Sequence, residues 1–130
     1  MHKVEKTDYG VRLTLGGFIK EDEMSEWAGE SQRILSELPA SFGVFLDMRE
    51  LKPLPPECRP IVIEVQKMFK ERGMVRSVAI FADYVTTMQT KRMSKETGIY
   101  EWERYLDASA ESDWENIGIL WVRDGIDPDR

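Results

Sequence analysis

Phe42-Gly43-Val44-Phe45-Leu46, closing at Asp47, and the run from Val75 to Ala82, centred on Val78-Ala79-Ile80-Phe81 and closing at Asp83, decide the architecture. Neither run alternates in polarity. Such runs fit strands buried on both faces, as parallel strands between helices are. The segment between them carries Ile61, Val65, Met68, Phe69 and Arg72 at helical spacing, with Pro60 in the first turn and Gly73 at the end. Strand, helix and parallel strand form the central unit.

Towards the N-terminus, Met24, Trp27, Ala28, Ser31, Ile34, Leu35 and Leu38 mark another amphipathic helix. Glu21, Asp22 and Glu23 sit where its dipole favours anions, and Pro39 ends it. Before it, residues 1–16 read as a hairpin. Val4 and Lys6 lead into Asp8-Tyr9-Gly10, then Val11, Leu13 and Leu15 alternate with Arg12 and Thr14, and Gly16-Gly17 breaks the strand. Towards the C-terminus, Tyr84 to Glu96 reads as a polar helix closed by Gly98, with Val85, Met88 and Met93 as its apolar candidates. Ile99 to Asp107 fits a strand or a helix, and Gly98 before it favours the strand. Trp114, Ile117, Leu120 and Trp121 suit a helix capped near Ser109 or Ser112, although 119–122 also reads as a strand. Residues 123–130 read as a frayed tail. The order β-β-α-β-α-β-α-β-α predicts an α/β domain spanning 1–130, a mixed sheet of about five strands with about four helices.

This order, the Gly17-Phe18-Ile19 step into an acidic-started helix, the strand ending Phe45-Leu46-Asp47-Met48-Arg49-Glu50-Leu51, the later Val78-Ala79-Ile80-Phe81 strand and the closing Trp114 to Trp121 segment resemble the SpoIIAA-like (STAS) family of anti-sigma-factor antagonists. The resemblance covers about Val11 to Val122. It implies an αβ sandwich that binds proteins or small ligands. In phospho-switched members it implies a phosphorylated serine in a turn at the start of the second helix. The matching stretch here is Leu54-Pro55-Pro56-Glu57-Cys58-Arg59, and no Ser or Thr lies between Phe42 and Arg76. The departure removes the serine switch from what the resemblance implies. Binding of an apolar or lipid-like ligand, which the resemblance to a related group of STAS-like proteins implies, survives better.

Composition narrows the partners. The chain has 130 residues, a net charge of −6 and 32% charged residues. An acidic chain without a dense basic run is poorly suited to nucleic acid or to anionic membranes. No apolar run approaches a membrane span, and the first residues have no apolar core of a signal peptide. With one cysteine no internal disulfide forms. Together these read as cytoplasmic.

Catalytic chemistry finds little support. The single histidine, His2, is expected at a mobile terminus, so no nucleophile–histidine pair is anticipated. One Cys and one His make a zinc site poor, and Cys58 reads as a half-buried packing residue. Gly16-Gly17 lacks phosphate-loop spacing. A receiver-like role for Asp47 would need an acidic pair where Gly16-Gly17 stands. Asp124, Asp127 and Asp129 do not form a calcium loop. Asp47 and Asp83 end strands, where open α/β sheets gather ligands. Asp83 reads first as a helix cap and Asp47 as a turn residue beside Arg49. Lys91, Arg92 and Lys95 form one basic patch on a helix, suited to an acidic partner or to plain solvation. Met68, Met74, Met88 and Met93, with Phe69 and Tyr84, suggest an adaptable apolar lining or ordinary core. Glu101 and Glu103 alternate on one strand face, read as exposed flanking residues.

The resulting expectation is a non-catalytic binding module without cofactor or metal. It takes a small apolar or amphiphilic ligand near Asp47, Arg49, Tyr84, Met88 and Arg92. The alternative is a protein-interaction module of the anti-sigma-antagonist type lacking the acceptor serine. A small ligand, a protein partner and a second copy of the chain are the partner candidates.

Overall fold

The structure, a computed structural model, describes residues 1–129. Strand β1 (His2–Lys6) and β2 (Gly10–Gly17) form the hairpin; then follow α1 (Glu21–Ile34), β3 (Phe42–Leu51), α2 (Arg59–Arg72), β4 (Met74–Phe81), α3 (Tyr84–Thr97), β5 (Glu103–Asp107) and α4 (Trp114–Asp124). The sheet order is β1-β2-β3-β4-β5, with β1 antiparallel and the other pairs parallel. The expected element order and mixed five-stranded sheet are therefore what the chain forms.

The strand order follows the chain without a reversal. Right-handed crossovers that all step the same way put their helices on one side of the sheet. So α1, α2 and α3 share one face, over Val11, Leu13, Leu15, Val44, Met48 and Ala79. Helix α4 comes after the last strand and is not a crossover. It covers the opposite face, where Trp121 and Val122 pack on Phe45, Val78 and Ile80. Two glycines let it lie close: a Cβ on Gly118 would stand 2.7 Å from the Phe45 ring, and one on Gly43 would stand 2.4 Å from the Val122 carbonyl oxygen.

Several local expectations need correction. Strand β3 runs on to Leu51, so Asp47 lies inside it rather than in a turn at its end. Residues 99–107 split into a 3-10 turn at Tyr100–Trp102 and strand β5. The 113–122 ambiguity resolves as helix, beginning after Asp113 and with no side-chain cap at Ser109 or Ser112. The tail expected to fray from Arg123 is helical to Asp124, and Arg104 then holds Asp127 through two hydrogen bonds of 2.8 and 3.0 Å. Helix α3 buries Thr86, Thr87, Thr90, Ser94 and Thr97, with Met93 its one buried large apolar residue; Val85 and Met88 face solvent. The expected methionine cluster therefore loses Met88, and with it Tyr84. Among the described residues no helix is long and apolar enough to cross a membrane.

Candidate functional site

Asp47 belongs to the sheet face that carries α4. Its carboxylate accepts from the Arg49 Nε and Nη2 at 3.0 Å each, from the Arg49 backbone N–H at 3.1 Å, and from Arg12 Nη2 at 3.3 Å. Burial alone would raise the Asp47 pKa; the hydrogen bonds from Arg49 and the charges of Arg49 and Arg12 outweigh it and hold the carboxyl below its usual range. The two arginines reach onward. Arg12 donates to Glu115 of α4 at 2.7 Å, and the Arg49 guanidinium lies 4.1 Å from the Trp114 ring centre. Asp47 thus sets the two cations that seat the first turn of α4. A polar groove of about 310 Å³ opens beside them, lined also by Lys3, Glu5, Thr14 and Glu50. Its cations and anions largely neutralise one another.

Tyr84, Met88 and Arg92 lie elsewhere, on α3 across the sheet. Asp83 caps this helix by accepting from the Thr86 backbone N–H and from its hydroxyl, both at 2.8 Å, and these bonds hold its pKa low. Arg92 lines a hollow of about 220 Å³ between α3 and the β3–α2 loop, with Leu54, Pro55, Pro56, Arg59, Gln89 and Met93. Tyr84 and Met88 line neither hollow. The five residues expected to surround one ligand are therefore split between the two faces of the sheet. Lys91 and Lys95 also part from Arg92: they stand over the Tyr105 and Tyr100 rings, at 5.1 and 4.8 Å. A ligand crevice in an open α/β sheet forms where the strand order reverses, and this sheet has no such point.

The carboxyl ends of β2, β3 and β4 meet in one rim. Lys52 N–H donates to Gly17 O at 3.1 Å, and the Thr86 hydroxyl, whose proton goes to Asp83, lies 3.3 Å from Leu51 O. On this rim Phe18 is 80% exposed and Tyr84 77%, and the exposed Val85 and Met88 follow Tyr84 on the first turns of α3. Large apolar groups in solvent at one end of a fold are the kind of feature that marks an interaction surface.

Sequence reading missed a buried polar cluster. Glu103 is 4% exposed, not flanking. It accepts from Ser77 Oγ at 2.8 Å and from Tyr105 OH at 2.7 Å, and Ser94 Oγ also donates to it. Gln66 Nε2 donates to Ser94 Oγ at 3.3 Å, and Thr97 Oγ1 donates to Gln66 Oε1 at 2.8 Å. Among the described residues no salt bridge reaches Glu103. Burial raises its pKa against the pull of the three hydroxyls. Burial and the Glu103 charge raise that of Tyr105. The Ser77↔Glu103 register that makes the pair neighbours could be found only after β4 and β5 were aligned.

Two further expectations change. His2 is not loose: in β1 its ring faces Glu23, at 2.8 Å, and Glu30 on α1, and these contacts raise its pKa, the Glu23 hydrogen bond most. Cys58 is fully buried rather than half-buried. Its thiol donates to Ile19 O at 3.7 Å, and burial pushes its pKa up, the opposite of an activated nucleophile. Among the described residues no group of three or more His, Cys, Asp or Glu side chains is placed to hold a metal ion.

No protein-family model and no curated protein matches the sequence. A solved structure does. The unphosphorylated anti-sigma factor antagonist SpoIIAA superposes over 89% of this chain and 96% of its own, with a TM-score of 0.59 and 8% identity. The chain has the SpoIIAA fold. At that identity the likeness speaks for the arrangement of strands and helices. The stretch that the resemblance matches to the phosphorylated turn, residues 54–59, leads into α2 here through a 3-10 turn at Pro56–Cys58 with Cys58 buried. No hydroxyl side chain lies between 42 and 76 to take the place of the serine.

Proposed function

We propose that this chain is a non-catalytic regulatory module that binds another protein through the rim formed by the carboxyl ends of β2, β3 and β4. The observation that carries the reading is the set of exposed apolar residues there: Phe18 from the β2–α1 connection, and Tyr84, Val85 and Met88 from α3. The SpoIIAA fold supports it, since that protein is described as an antagonist of an anti-sigma factor, itself a protein. A cytoplasmic setting belongs to the same proposal. Partner choice does not run through a serine at α2, so control comes from partner concentration or from another site. The small-ligand reading loses its footing because the residues chosen for it do not converge.

The test is a photo-reactive residue placed at Phe18, at Tyr84 and, as a control, at Lys67 on the outer side of α2. The same protein is expected to cross-link from both rim positions and not from Lys67. With that protein purified, Phe18→Ala/Tyr84→Ala should weaken binding at least about tenfold, as loss of exposed aromatic anchors does. Equal cross-linking from all three positions, or unchanged affinity of the double variant, refutes the proposal. A self-adduct from the rim would make a second copy of the chain the occupant.

A further inference from the structure

We infer that the hollow between α3 and the β3–α2 loop is a socket for an acidic side chain, aspartate or glutamate, of a bound polypeptide. The inference rests on the reading that this end of the molecule docks a protein, and it names the chemistry the partner must bring.

The hollow is built rather than incidental. Gln89 of α3 clamps the loop from both sides of Leu54: its Oε1 accepts from the Leu54 N–H at 3.0 Å and its Nε2 donates to Leu54 O at 3.2 Å. Pro55 and Pro56 stiffen the chain beyond the clamp. Met93, buried, forms part of the wall. Leu54, Pro55, Pro56 and Met93 can therefore take an aliphatic stem.

Charge selects what the stem carries. Arg92 is exposed and makes no hydrogen bond or ion pair with any other described residue. Arg59, on the same wall, donates to Glu96 Oε2 at 2.6 Å with both side chains about half exposed. One guanidinium is open, then, and the second is held only by a surface carboxylate, the weak kind of ion pair. Guanidinium groups pair with carboxylates through two parallel hydrogen bonds. Glu96 does not line the hollow, but its charge is held on Arg59, which does; a negative charge there disfavours a dianion more than a monoanion, which selects carboxylate over phosphate. A volume of about 220 Å³ suits one side chain and falls below the roughly 300–1,000 Å³ of pockets for whole small ligands. In a chain of net charge −6 a cationic socket is also a local exception that an acidic partner segment would find.

The experiment follows the Arg92 and Arg59 Nε–Hε signals of the full chain by NMR. The probes are the blocked tripeptide Leu-Glu-Leu and its Leu-Gln-Leu and Leu-phosphoserine-Leu counterparts. The glutamate peptide should shift Arg92 saturably and the glutamine peptide should bind at least about tenfold more weakly, the loss expected for a charge-assisted pair. Followed at the Arg59 Nε–Hε signal, Arg92→Gln should weaken binding of the glutamate peptide at least about tenfold. Glu96→Gln should tighten binding about two- to fivefold by freeing Arg59 from a surface pair. Arg33→Gln, on the exposed side of α1, should change nothing. Equal shifts with glutamate and glutamine, unchanged binding by Arg92→Gln, or tighter binding of the phosphoserine peptide would each overturn the socket. Failure here with rim cross-linking intact removes the socket and leaves the docking surface. Peptide binding without rim cross-linking does the reverse.

Discussion

Two buried carboxyls in this protein behave oppositely because their neighbours differ. Asp47 sits against two guanidinium groups, so the fold favours its charged form. That stabilisation is present above the ordinary aspartate value of 3.8 and is lost as pH falls through the lower folded pKa. Asp47→Asn should therefore cost about 1–3 kcal/mol at neutral pH, less than a fully buried pair because Arg49 keeps solvent contact. The gap to the native chain should close below pH 3.8 in denaturant titrations at stepped pH. Glu103 has hydroxyls instead of cations, so the fold favours its neutral form. Its contribution is fully present below the ordinary value of 4.5 and is lost as pH rises through the raised folded pKa. Glu103→Gln should remove that slope, so its stability relative to the native chain should rise with pH above 4.5 in the same titration. An unchanged slope would show that Glu103 is already paired. Neither behaviour was legible in the sequence. Asp47 reads as a turn residue although its main partner, Arg49, stands two residues on, because the strand that runs past it to Leu51 and the second cation, Arg12, are not local; Glu103 reads as a surface residue because the burial that decides its charge comes from elements brought together only in the fold.

At the level of elements, α4 and α3 are attached by different means. Helix α4 meets the sheet at close range, through glycines and aromatic rings, with Trp121 donating from Nε1 to Ser77 O at 2.9 Å. Gly43→Ala should cost about 3 kcal/mol, the upper end for overpacking, because the obstacle is the Val122 backbone rather than a movable side chain. Thermal unfolding against the native chain measures it, and a cost near zero would mean that α4 shifts freely. Helix α3 rests on hydroxyls and one methionine. Its period was legible, since Gly98 and the Asp83 cap frame it. Its facing was not: Thr86, Thr90, Ser94 and Thr97 look like a solvated stripe until the fold supplies their partners, Asp83 for Thr86, the Thr86 carbonyl for Thr90, and the Glu103 cluster for Ser94 and Thr97.

For the whole molecule, the order of strands and helices could be read because each buried run and each amphipathic stretch announces itself within about ten residues. The proposed binding surface could not. Phe18 and Tyr84 reach the same rim, and Leu54 and Arg92 the same hollow, only through the fold, and nothing local distinguishes an exposed Phe18 from the buried Ile19 beside it. The two faces also differ in what completes them. Three helices close one side in passing between strands, whereas the other depends on the last helix alone. A chain ending before Trp114 should leave Phe45, Val78 and Ile80 in water, and should bind a hydrophobic dye and aggregate where the full chain does not.

A strand order that simply follows the chain has a bearing on how the protein is made. Each new strand joins the edge left by the one before it, after a short turn for β2 and after one helix for β3, β4 and β5, so the sheet can accrete as synthesis proceeds and no strand waits for a distant partner. Only the underside stays unfinished until α4 emerges, which makes the interval between β5 and Trp114–Asp124 the moment of greatest exposure to misassembly.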